Sequence, residues 1–243
     1  MATRAKIFPA IRRIMIMATI IWAGSNPFIA SAQVSSATAE VAAQAANPKP
    51  DVNQDSGFRL PLLKREDIDD YGKKVYDQMF GPGGRLLAGL RGPSGIRLYS
   101  PKVAELEYTL NQYLRYQSGL SGPIRELAIL VTAREMDNQF EWTAHEPQGL
   151  KDGLPQAMID IVKYRRGVEG LPETEAVIIQ LGRQIFGKKK VDSDIFARAL
   201  KIFGPRQLVE IVTLMGYYSS TAALLTAFDM QLAPDQKPLL PLP

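Results

Sequence analysis

The chain has 243 residues, 46% of them hydrophobic, with 29 Lys and Arg against 25 Asp and Glu, one His and no Cys. Its length allows one good-sized core or two small ones. The absence of cysteine excludes thiol nucleophiles, thiolate metal sites, dithiol redox chemistry and disulfides, and a lone histidine excludes a multi-histidine metal site.

Residues 1–32 have the layout of a secretory signal peptide. Arg4, Lys6, Arg12 and Arg13 form a basic start, and Ile14 to Ala23 is an apolar run too short to span a bilayer. Pro27 breaks the segment, and Ala30-Ser31-Ala32 matches a small-x-small cleavage site. The expectation is export, to the periplasm or beyond the cell, without a stable membrane span after cleavage. The Arg12-Arg13 pair leaves open whether the route is general or twin-arginine. Removing the four basic residues leaves 25 Lys and Arg against 25 Asp and Glu, a net charge of zero. The apparent basicity of +4 thus belongs to the leader, and no basic stripe remains to support nucleic-acid binding.

Residues 33–57, rich in Ala, Ser, Gln, Asn and Pro, read as a disordered linker. From there the dominant period is helical and the class is all-α, a single helical domain over 58–232. Ile68, Tyr71, Val75 and Met79 give a first helix over about 65–80. Residues 81–97, with six glycines and two prolines, read as a loop able to cover a site. Ser100-Pro101 opens a helix to about Gln117, and Pro123 opens a strongly apolar one to Met136. Further helices are predicted at about Gln139–Leu150, Pro155–Tyr164, Pro172–Phe186, Asp192–Ile202 and Pro205–Met230. The tail Ala233–Pro243, with four prolines, reads as an extended arm, and its three leucines suit it for docking on a neighbouring surface.

The most informative stretch runs from Arg125-Glu126-Leu127 to Glu141-Trp142-Thr143-Ala144-His145. Asn138, Glu141 and His145 share one helix face. A carboxylate four residues before a histidine can hold the ring and raise its pKa, and imidazole is the natural general acid or base near neutral pH. Glu126 lies among Leu127, Ile129 and Leu130, where a carboxylate needs a partner. Antiparallel packing of the two helices would bring Glu126 to His145.

These residues resemble the carboxymuconolactone decarboxylase-like family, which includes alkylhydroperoxidase D-type proteins. The resemblance covers about 60–230 and rests on the Arg-Glu-Leu helix start, Glu141-Trp142-x-x-His145, the Gly149 to Pro155 run Gly-Leu-x-x-Gly-Leu-Pro, and Gly216-Tyr217-Tyr218. It implies a helical fold built on a helical hairpin and assembly as a homo-oligomer, a trimer or hexamer. In the family's peroxidase branch a Cys-x-x-Cys pair precedes the histidine. Asn138 and Glu141 stand at those two positions here, which removes the thiolate that hydroperoxide reduction requires.

The decarboxylase branch implied by the resemblance needs no thiol and no cofactor. Its substrate is a small carboxylated lactone or cyclic acid, and an acid must protonate carbon after CO2 leaves. His145 is the expected proton donor, with Glu141 or Glu126 setting its tautomer. Asn138, Trp142, Arg125, Arg134 and Arg97 are the candidate substrate-binding residues, with Arg91 a further arginine near the motif; a guanidinium suits substrate carboxylates. Trp142 also reads as core packing, and Tyr217 and Tyr218 as helix packing or oligomer contacts. The competing expectation is an exported ligand-binding or assembly protein that keeps the fold without turnover.

Overall fold

A computed structural model describes residues 49–242, Pro50 excepted. The expected signal peptide and most of the expected linker lie outside the described residues. Among the described residues there are eight helices and no strand, so the class is all-α. They are α1 (Asp70–Phe80), α2 (Pro93–Arg97), α3 (Pro101–Tyr116), α4 (Gly122–Glu135), α5 (Gln139–Lys151), α6 (Gln156–Lys163), α7 (Glu173–Arg183) and α8 (Ser193–Ala227).

The centre is α4. Every residue from Arg125 to Arg134 is buried, because α5, α6, α7 and α8 surround it. A helix apolar on all sides belongs inside a core rather than on a surface. Leu127, Ile129 and Leu130 are fully buried, and each contributes roughly 1.5–3 kcal/mol relative to exposure. The α4 and α7 helices cross closely, and a Cβ on Gly182 would overlap the Val131 side chain. Hydrogen too small to collide is what lets the two backbones approach.

A tight turn reverses the chain from α4 into α5. Asp137 takes a left-handed conformation (φ 46°), which asparagine and aspartate tolerate better than most residues. Asn138 then caps α5 by accepting from the Glu141 amide at 3.0 Å. The resulting hairpin sets the two carboxylates and the histidine in register.

Several boundaries differ from the sequence expectation. The first helix begins at Asp70, because Asp69 caps it by accepting from the Gly72 amide at 2.7 Å; residues 65–67 form a separate 3-10 turn. The loop expected over 81–97 ends early, since Pro93 starts the short α2 and carries Arg97 on a helix. The two last helices run together as α8, bent at Gly204 (φ 68°, ψ 170°) before Pro205. That helix is long and apolar enough to cross a membrane, yet half of its most apolar window is buried within the protein.

Both ends of the described chain are packed rather than loose. Part of the expected linker, 51–57, forms turns that close on the end of α8. Phe58 is fully buried, the Arg59 amide donates to Phe228 O at 2.9 Å, and the Gln231 amide donates to Gly57 O at 2.8 Å. One aromatic anchor and paired backbone groups order a segment whose average composition is polar. The C-terminal arm docks on its own chain. Leu240 enters the main core, Arg134 Nη1 donates to Pro241 O at 3.1 Å, and the Leu239 amide donates to Thr143 Oγ1 at 3.4 Å.

Candidate active site

His145 sits on α5 and Glu126 on α4, facing each other across the hairpin. His145 Nδ1 lies 2.7 Å from Glu126 Oε2. The other carboxylate oxygen, Oε1, accepts from Arg115 Nη2 at 3.0 Å and Arg125 Nε at 3.1 Å. Arg125 is itself tied down, donating to Arg115 O at 2.7 Å and to Asp152 Oδ2 at 2.5 Å. Glu126 is fully buried. Burial by itself would raise its pKa, but His145, Arg115 and Arg125 outweigh that and hold it well below the usual carboxylate range.

Burial also acts on His145 and lowers its pKa; Glu126 pulls it upward, and the nearby Arg115 and Arg125 charges push it down again. The ring is neutral at pH 7. With an ionised carboxylate on Nδ1, that nitrogen carries the proton and Nε2 keeps its lone pair. No hydrogen bond from a described residue reaches Nε2. Tyr218 closes one side of the ring, edge to face at 5.0 Å between centroids and 89° between planes.

Glu141 behaves differently from the expectation that it holds the imidazole. Neither of its carboxyl oxygens has a hydrogen-bond partner among the described residues, although the side chain is buried. Its position one helical turn before His145 puts both groups on one face without letting them bond. Burial pushes the Glu141 pKa well above its ordinary value, and the Arg97 charge draws it back only in part. The shift favours the neutral carboxylic acid over the carboxylate. The expectation that a carboxylate raises the His145 pKa is also corrected: Glu126 supplies that upward pull, but burial and two guanidiniums exceed it.

Glu141 and His145 line one partly enclosed pocket with a cavity volume of about 60 Å³. Met79, Leu86, Leu87, Ala88 and Phe140 give it apolar walls; Arg97, Arg115, Asn111, Tyr217 and Tyr218 give it polar ones. The residues 86–89 come from the glycine-rich loop, which therefore does cover the site. Arg97 is anchored at the pocket edge by a bond from Nη2 to Thr221 Oγ1 (2.6 Å) and by stacking over Tyr217 at 5.1 Å. Its separation from Glu107 Oε2 is 3.6 Å.

Among the other candidate residues, Arg125 supports Glu126 from behind and does not line the pocket. Asn138 is the cap of α5, and its Nδ2 donates to Ala222 O at 3.3 Å. Trp142 is fully buried outside the pocket, its indole bonded to Glu146 and its ring under Lys163 Nζ at 5.7 Å. Arg134 binds Asp137 and the C-terminal arm. Arg91 reaches Gly57. None of these four touches the pocket. Sequence reasoning missed Arg115, although a signal existed. Ala104, Tyr108, Asn111 and Arg115 recur at spacings of four, three and four, one face of α3, and all line the pocket. Polar groups on an otherwise buried face mark a functional surface. No protein-family model matches the chain, and no curated protein matches it.

Proposed function

We propose that the protein is a cofactor-free acid/base enzyme acting on a small carboxylated lactone or cyclic acid through an enolate, with decarboxylation as the reaction suggested by the resemblance to carboxymuconolactone decarboxylase-like proteins. One observation carries the reading. A neutral imidazole with a free Nε2 shares a pocket with two guanidiniums and with an unpartnered Glu141 whose burial favours its protonated form. Pairs of titratable groups whose environments push their pKa values apart are the usual basis for assigning acid and base.

Arg97 and Arg115 line the pocket and would hold a substrate carboxylate that is retained. Heterolysis of a second C–CO2 bond leaves its electron pair in the ring, delocalised onto the carbonyl oxygen. Glu141 then delivers its proton to carbon and becomes a carboxylate facing Arg97, to be reprotonated from solvent. The proton donor is thus Glu141 rather than His145, reversing the role expected from the resemblance. His145 Nε2 is the proton acceptor, so the same enolate can also form by loss of a C–H proton.

The test is direct. Purified protein, Glu141→Gln and His145→Ala are incubated in D2O with a panel of unsaturated carboxylated lactones. CO2 release and carbon-bound deuterium are measured. The reading expects CO2 release lost in Glu141→Gln, and exchange into unreacted substrate lost in His145→Ala. Tight binding without either product would replace it with the ligand-binding alternative.

A further inference from the structure

Tyr218 was expected to be a packing residue, and its surroundings show a second property. It lies on α8 and is almost wholly buried, at 4% exposure, yet its phenol lines the pocket that holds Glu141 and His145. No hydrogen bond joins its hydroxyl to a described residue. Buried tyrosine hydroxyls normally find a partner, because an unmet O–H in an apolar site costs free energy. Here the groups within the pocket leave it for a ligand.

We propose that Tyr218 is a catalytic residue that donates its hydroxyl hydrogen bond to the substrate oxygen on which negative charge develops. This rests on the enolate reading of the pocket and adds its third member. Glu141 gives the proton to carbon, His145 Nε2 accepts a proton, and Tyr218 steadies the oxygen between those events. Charge moves as follows: the electron pair of the breaking C–C or C–H bond enters the ring, the carbonyl π pair moves to oxygen, and Tyr218 keeps its proton while donating the hydrogen bond. When carbon is protonated, the pair returns and the carbonyl re-forms.

Two features favour Tyr218 over its neighbour. Its ring meets the imidazole edge to face, so packing fixes its position relative to His145. Tyr217 instead lies beneath the Arg97 guanidinium, where its ring serves as a platform. Burial also raises the Tyr218 pKa, which keeps the phenol protonated as a donor across the working pH range. A preorganised donor in a water-poor site is worth more than the same group in water; losing one such donor lowers kcat by about 10²–10³-fold.

The experiment uses 4-nitrophenol as an oxyanion probe, titrated into full-length protein, Tyr218→Phe and Tyr217→Phe, with phenolate absorbance followed from acid to alkaline pH. Circular dichroism and thermal unfolding confirm that each variant folds. Wild type is expected to bind the phenolate form and to lower the probe's apparent pKa. Tyr218→Phe keeps the ring contact with His145 but is expected to weaken phenolate binding at least about tenfold, as loss of one hydrogen bond to a charged group implies. Tyr217→Phe is expected to change it about twofold or less, within the same accounting. Equal binding by Tyr218→Phe overturns the assignment of Tyr218 and leaves the acid/base pair standing. A larger loss in Tyr217→Phe also overturns it, in favour of the neighbour. Absence of phenolate binding by wild type overturns both this proposal and the enolate reading.

Discussion

Glu126 Oε2 and His145 Nδ1 meet at 2.7 Å across the α4–α5 hairpin, and the contact decides which imidazole nitrogen is free to do chemistry. The carboxylate is held by two guanidiniums, so it cannot easily turn away. Because His145 is the only histidine, its imidazole nitrogens give isolated signals in 15N NMR. The expected spectrum at pH 7 is a neutral ring protonated on Nδ1, with Nε2 in the range of an unprotonated nitrogen. Glu126→Gln removes the negative charge while leaving Arg115 buried beside it. Breaking such a pair costs about 3–5 kcal/mol. Chemical denaturation should show that loss, and the NMR signals of the variant should report a mixture of tautomers. A single Nδ1-protonated species in Glu126→Gln would show that some other group fixes the ring.

Glu141 makes the opposite prediction, because its burial is a liability to the fold. An unpartnered buried polar group costs about 1–3 kcal/mol. Glu141→Leu should therefore stabilise the protein by about that amount while eliminating turnover, the pattern expected where an active site is kept at the expense of stability. Glu141→Gln tests the protonation state. Its native pKa is raised above 4.5, so from pH 4.5 upward the unfolded chain releases a proton that the native protein retains. Wild-type stability then falls with rising pH until the native pKa is reached, and the variant lacks that decline. The gap between variant and wild type should widen above pH 4.5. A gap that stays constant from acid to neutral pH would mean that Glu141 is ionised in the native state.

His145 and Glu126 shape the acid side of the same profile. The His145 pKa lies below 6.5 in the native state, so the unfolded chain binds the extra proton in the window beneath 6.5. Stability gained from this residue rises with pH through that window and is complete above it. Glu126 is depressed below 4.5, and its contribution, present above 4.5, is lost as pH falls through the native value. His145→Gln should remove the upper of these two acid-side losses and leave the lower. Urea midpoints measured between pH 3 and 8 separate them, and an unchanged profile in His145→Gln would count against a neutral native imidazole.

Much of the fold was legible because its signals are local. Proline at helix starts and the 3.6-residue period located α3, α4, α6 and the two parts of α8 to within a few residues. The Glu126–His145 contact was legible too, since a buried carboxylate needs a partner and a short turn forces α4 and α5 antiparallel. What escaped was the choice among polar residues that depends on facing. Arg134 and Trp142 stand near the motif in sequence but contact the C-terminal arm and Lys163 instead of the pocket. Arg115 stands far from it and points in. The Glu141–His145 spacing established a shared face, yet a shared face does not make a hydrogen bond; burial and Arg97 set the Glu141 proton, and both are long-range effects.

Gly182 tests the packing that positions α4. Its replacement by Ala places a methyl group where the buried Val131 side chain already lies. Overpacking of a dense core costs roughly 1–3 kcal/mol. Gly182→Ala should lower the unfolding midpoint, and Val131→Ala in the same chain should recover part of the loss by making room. Additive destabilisation in the double variant would show that the two sites do not share the crossing.

The C-terminal arm supplies the last test, because it braces the outer side of the helix that carries His145. Leu240 is 4% exposed and belongs to the main core, while the neighbouring Leu239 amide bonds Thr143 two residues before His145. Leu240→Ala removes a buried side chain and leaves a cavity, at about 2–5 kcal/mol. Leu242 is half exposed, and Leu242→Ala should cost little, within about 0.5 kcal/mol as for ordinary surface changes. Denaturation of the two variants therefore distinguishes a docked arm from a loose tail: equal, small effects would mean that the arm is not held in solution. If the arm is held, amide exchange on 139–151 should quicken in Leu240→Ala before global unfolding does, since the arm's contacts reach α5 directly.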